Sequence, residues 1–220
     1  MPAIIINGPD GRLEARYHQS TAPGAPVALI LHPHPEYGGS MNTKVPYALF
    51  KAFSSMNFNT LRFNFRGVGQ SEGTFSDGEG ELADAASVMD WLQSHHKNAS
   101  AFWIAGFSFG AWIGMQLLMR RPEIDGFVSV APPTNMFDFS FLAPCPTSGL
   151  LIQGGKDEIV PKEAVDSFYK ERLAPLKNIS VEYKVLPTAG HFFEQELHDL
   201  MKTVQDHVTP SLRHPLSSAA

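Results

Sequence analysis

Three side chains have the types and the order that acyl-transfer chemistry needs: Ser108, Asp157 and His191. A serine hydroxyl alone is a weak nucleophile. It needs a neighbouring base, and the base needs a carboxylate to orient it. Ser108 lies in Gly106-Phe107-Ser108-Phe109-Gly110, a G-x-S-x-G. That spacing puts the serine on a sharp strand-to-helix turn, and the glycines leave room for its strained backbone. The helix that follows points its unpaired amides and positive dipole end at any negative charge developing there. A structural turn that merely contains serine has the same local pattern, so the rest of the chain decides. Downstream, Asp157 leaves an apolar run in GGKDEIVP, and His191 follows another run in PTAGHF.

The elements that must position these residues can be read from hydrophobic period and turn chemistry. Residues 3–6 and 12–17 form an opening hairpin around Asn7-Gly8-Pro9-Asp10-Gly11. Val27 to Leu31 is a short apolar run, as in a strand buried on both faces. A loop from His32 to Asn42 precedes a helix from Lys44 to Met56. Thr60 to Phe65 alternates, Arg66 to Gly80 is glycine-rich, and Glu81 to His96 is helical. Ala101 to Ala105 is the strand before the serine turn, and its helix runs to Arg121, before Pro122. Phe127 to Ala131, Gly149 to Gln153 and Val181 to Val185 are strands, and Pro132 to Pro146 is irregular. Pro161 to Leu173 and Phe192 to Val208 are helices. The expected fold is therefore α/β: a mostly parallel sheet of about eight strands with helices on both faces, in one domain over 1–208. A flexible tail is expected over 209–220. In such sheets, sites form beyond the carboxyl ends of the strands, where all three reactive residues lie.

Composition removes several classes. The net charge is −5 over 220 residues, and no basic stripe suggests nucleic acid. No apolar stretch approaches membrane-spanning length. The N-terminal residues carry hairpin chemistry, not that of a leader, so a cytoplasmic location is expected. The one cysteine, Cys145, excludes an intramolecular disulfide and is read as a small semi-buried residue.

The motifs together resemble the α/β-hydrolase superfamily. The chain is most similar to a small, bacterial-type group of lidless serine α/β-hydrolases. The shared stretches are the HPHP, GGSM and asparagine of the first loop (His32 to Asn42), FNFRGVGQSEG (Phe63 to Gly73) and SFGAWIG (Ser108 to Gly114). The resemblance implies Ser108 as nucleophile, His191 as general base and acid, and Asp157 as its orienting partner. It also implies an oxyanion hole of two backbone amides. One is that of Phe109. The other comes from the first loop, where Pro33 and Pro35 have no N–H, leaving His34 ahead of Glu36. Many superfamily members have His-Gly where this chain has His32-Pro33, which affects the path of that loop.

Competing readings of the same residues are weaker. His32, His34 and Glu36 lack the further ligands a metal site needs, so no metal is expected. Gly67 to Gly73 matches a dinucleotide fingerprint only loosely, so no cofactor is expected. Asp138 and Glu158 are alternatives to Asp157. Asp138 lies in a phenylalanine-rich packing run, and Glu158 fits the motif less well. The 132–146 interval is too short for a helical cap. The expected site is therefore open, lined by Tyr37, Phe107, Phe137 and Phe192, with Phe75, Phe109 and Phe139 nearby. It would suit esters or thioesters of small or accessible acyl groups. A small-peptide or amide hydrolase, or a binding module on the same scaffold, would use the same residues. The expected partner is a small molecule. A homo-oligomer paired through an edge strand near Val181 to Val185 is a further option. Because the base must be neutral, activity should rise through an ordinary histidine titration near pH ~6.5–7.

Overall fold

The computed structural model describes residues 3–142 and 144–213. Strands β1 (Ala3–Gly8) and β2 (Gly11–His18) form the opening hairpin. The remaining strands are β3 (Val27–Leu31), β4 (Asn59–Phe63), β5 (Phe102–Phe107), β6 (Ile124–Val130), β7 (Gly149–Gly154) and β8 (Val181–Leu186). The sheet order is β1-β2-β4-β3-β5-β6-β7-β8. β2 runs antiparallel to β4, and every pairing from β4 to β8 is parallel.

The helices are α1 (Lys44–Ser55), α2 (Glu79–His95), α3 (Phe109–Leu118), α4 (Lys162–Phe168) and α5 (Leu197–Arg213). Side chains of β3 show how they cover the sheet. Val27, Leu29 and Leu31 join the core packed with α2, α3 and α4. Ala28 and Ile30 join the opposite core with α1 and α5. All five are buried, as a strand covered on both faces requires.

Several boundaries differ from the sequence reading for local reasons. α2 starts at Glu79 because the Glu81 carboxylate turns back to accept from the Ser76 and Gly78 amides, at 3.0 and 2.8 Å. This satisfies donors that a helix start leaves open. α3 stops at Leu118, ahead of Arg121. α4 passes into a π-helical turn over Tyr169–Leu173. α5 starts at Leu197, not Phe192, because Phe193 takes a left-handed φ of 49° that no helix tolerates. α5 also corrects the expected tail. The helix continues past Val208 to Arg213, through Pro210. Buried Val204 and Val208 anchor it, and the Thr209 hydroxyl reaches Met56 Sδ at 3.6 Å. The rest of that tail, 214–220, lies outside the described residues.

The FNFRGVGQSEG stretch is architectural. The Arg66 guanidinium grips Asp84 of α2 through two bonds, 2.7 and 3.0 Å, and its backbone N–H donates to the same carboxylate. Asn64 accepts from the Met41 amide and donates to Glu14 of β2, both at 2.9 Å. These bonds tie the first loop and the glycine-rich loop to the hairpin and α2.

Candidate active site

Ser108 sits at φ 52°, ψ −120°, a backbone conformation that a side chain rarely adopts. Its N–H donates to the Val130 carbonyl at 2.9 Å, and its carbonyl accepts from Ala111 and Trp112 in the first turn of α3. The flanking glycines are required by contact. A Cβ on Gly106 would lie 2.3 Å from the Gly110 carbonyl oxygen, and one on Gly110 would lie 2.5 Å from that of His32. The turn is thus pressed directly against the start of the first loop.

Asp157 and His191 meet by a similar device. Gly155 donates to the Leu186 carbonyl at 2.8 Å, and Lys156 to that of Ala189 at 2.9 Å. The two loops pack backbone on backbone, since a Cβ on Gly154 would meet the Ala189 oxygen at 2.6 Å. His191 Nδ1–H donates to Asp157 Oδ2 at 2.8 Å, with both residues buried. Asp157 Oδ1 accepts from the Ile159 and Val160 amides at 2.9 and 2.8 Å. A fourth donor to this carboxylate, the Gln153 side chain at 3.1 Å, was not foreseen. The His191 ring lies between Phe107 and Phe192, with centroids 5.0 and 5.1 Å away.

The first loop turns at Pro35–Tyr37, a short 3-10 helix capped by His34. The Glu36 N–H points back to His34 Nδ1 at 3.3 Å, and the His34 carbonyl accepts from Tyr37 and Gly39. The His34 ring packs on Tyr37, Phe75 and Phe109 within 5.0 Å, and burial lowers its pKa. His32 is wholly enclosed. Its Nδ1–H donates to the Pro33 carbonyl at 2.6 Å, and Nε2 accepts from the Phe65 amide at 3.0 Å. Desolvation pushes its pKa down to about 4. Both ring nitrogens are engaged, so His32 is a neutral structural link.

A cavity of about 790 Å³ opens over Ser108 and His191. His34, Phe109, Tyr37, Phe107, Phe137 and Phe192 line it. Val45, Met136, Ile159, Lys44 and Glu194 line it too and were missed. Ile159 follows the acid by two positions and Met136 adjoins Phe137, but nothing in their spacing says which way they face. Phe75 lies behind His34, and Phe139 is buried against Phe141 and Phe168. Asp138 is exposed, with its carboxylate bonded to Ser140, and Glu158 is exposed. Between β6 and β7 the described residues hold no helix that could form a cap.

Known proteins share this architecture. Residues 29–144 match the family model described as alpha/beta hydrolase fold. An uncharacterized protein of Rickettsia prowazekii is 47% identical over 211 residues, covering 94% of this chain and 89% of its own. A crystal structure of a protein of unknown function from Agrobacterium tumefaciens superposes with a TM-score of 0.94 at 51% identity, covering all of both chains. A lidless a/b serine hydrolase from Xanthomonas campestris superposes at 0.84 and 31% identity, covering 100% of this chain and 96% of its own. A lysophosphatidylserine lipase of Rattus norvegicus is 26% identical over 68% of this chain, which spans only 42% of that lipase's length. With a strained serine at the β5–α3 turn and half its length matching the family model, the chain belongs to the α/β-hydrolase fold family.

Proposed function

We propose that this hydrolase cleaves carboxylic esters or thioesters through an acyl-enzyme on Ser108. The observation that carries the reading is the 2.8 Å bond from His191 to buried Asp157, with His191 and Ser108 on the walls of one cavity. Asp157 engages Nδ1, which leaves Nε2 to act on the serine proton. Ser108 Oγ attacks the carbonyl carbon as its proton passes to His191 Nε2. The oxyanion is held by the amides of Phe109 and His34. One feature supports His34 over Glu36: the Glu36 amide is directed at the His34 ring. His191 then protonates the leaving group, and water attacks the acyl-enzyme by the same proton route.

The named activity of the lysophosphatidylserine lipase is itself an ester cleavage, which supports this reaction class. The predominantly apolar wall suits an acyl group, and the uncapped cavity suits accessible ones. The test is labelling with a fluorophosphonate followed by peptide mass mapping. An adduct is expected on Ser108 and is absent from Ser108→Ala. Folded protein with no adduct on Ser108 would overturn the proposal.

A further inference from the structure

We propose that Gln153 is a positioning residue for this reaction: its side-chain amide holds the Asp157 carboxylate in place for His191. The inference rests on the Ser108, His191 and Asp157 reading above. Gln153 lies in β7 and has no exposed surface. Its Nε2 donates to the Val160 carbonyl at 2.8 Å and to Asp157 Oδ2 at 3.1 Å, with the Gly154 carbonyl more distant at 3.4 Å. Reversing the amide would set an oxygen against a carboxylate and a carbonyl, so its direction follows from its surroundings.

Its Oε1 is buried and has no partner among the described residues. A buried acceptor left unpaired costs stability, which an apolar side chain of similar shape would avoid. What glutamine offers at this position is therefore its pair of N–H donors. They bind both ends of the acid turn, Asp157 and Val160, and so fix that turn to the strand. Asp157 Oδ2 is shared between His191 and Gln153, while Oδ1 is filled by two backbone amides. The carboxylate then has no freedom to rotate away from the imidazole.

Removing the Gln153 donor leaves more of the carboxylate charge uncompensated. That charge attracts the imidazolium more strongly, so a higher pH is needed to free the base. The other titratable groups on the cavity are His34, Tyr37, Lys44 and Glu194, with Lys44 and Glu194 paired at 3.5 Å. None is altered by a change at position 153.

The experiment is the rate of fluorophosphonate labelling of Ser108 from pH 5 to 9 in wild type, Gln153→Met and Gln153→Glu, with thermal unfolding as the fold control. In Gln153→Met, labelling at pH 7 is expected to fall roughly tenfold, with the acid limb displaced upward by about half a pH unit or more. Gln153→Glu sets a carboxyl against Asp157 that burial and the neighbouring charge hold protonated, so its O–H donates as the amide does and the limb should stay close to that of wild type. Labelling of Ser108 with an unmoved or lowered limb in folded Gln153→Met, or a limb in Gln153→Glu displaced as far as in Gln153→Met, overturns the role of Gln153 and leaves the proposed function intact. Absence of Ser108 labelling in wild type overturns both.

Discussion

His32 directly follows β3 and His191 lies in the loop after β8, and their surroundings differ sharply. His191 has one nitrogen on Asp157 and its ring on the cavity. His32 has both nitrogens occupied by backbone groups and no contact with solvent. Its pKa, pushed down to about 4 from 6.5, links it to stability. The folded state takes up this proton later than the unfolded chain does. The stability due to neutral His32 is therefore complete above about pH 6.5 and is lost as the pH falls toward 4. At full protonation the loss is about 3 kcal/mol. His32→Leu should be less stable than wild type at pH 7, because the Phe65 amide loses its acceptor. Urea unfolding at pH 7 and at pH 4.5 should show that gap narrowing at the lower pH. A constant gap would mean that His32 is not the group being titrated.

At the scale of elements, close backbone approaches set the geometry. The first loop is held in shape by Gly39, where a Cβ would lie 2.1 Å from the Pro33 oxygen and 2.5 Å from the His34 oxygen. Neither atom can yield without moving the loop that carries the proposed His34 amide. Gly39→Ala is expected to lower kcat for a short-chain ester by about tenfold to a hundredfold, the usual consequence of a misplacement near 1 Å. Gly38→Ala is the matched control. A Cβ there meets nothing within 4 Å, so its cost is limited to the strain of φ 78°. Steady-state kinetics on the two variants checks the contrast, and equal losses would show that the close contact at Gly39 is not what sets the loop.

At the scale of the molecule, the sheet separates two cores, and Ser108, Asp157 and His191 gather at one end of it. Phe53 of α1 is fully buried in the core shared with α5, edge-on to Phe58 at 5.0 Å. It does not line the cavity. Phe53→Leu should cost about 1–2 kcal/mol in denaturant unfolding while leaving kcat/KM unchanged. A drop in kcat/KM at full folding would show that this core sets the site geometry. β8 forms one edge of the sheet and carries Glu182 and Lys184, charges of the kind that discourage edge-to-edge pairing. Among the described residues, no helix is long and apolar enough to cross a membrane.

By itself the sequence determined the alternation of strands and helices and the antiparallel entry, and it marked Ser108, Asp157 and His191 as the residues of the proposed chemistry. Each is recorded locally, in hydrophobic period, turn glycines, or a reactive side chain just past a strand. Tertiary structure decided whatever depends on which partner a polar group finds. On paper His34 stands ahead of Glu36 as the amide donor, with Glu36 still open. Only the folded loop turns the Glu36 amide toward the His34 ring. Gln153 reads as an ordinary strand residue until β7 and the acid turn close around it. Val45, Met136 and Ile159 become cavity wall only because the start of α1 and two separate loops converge over Ser108. The late start of α5 follows from the backbone of Phe193, whose left-handed φ of 49° interrupts any helix ahead of Leu197. Periodicity records which way a residue faces relative to its own element. It does not record what the rest of the chain brings to meet it.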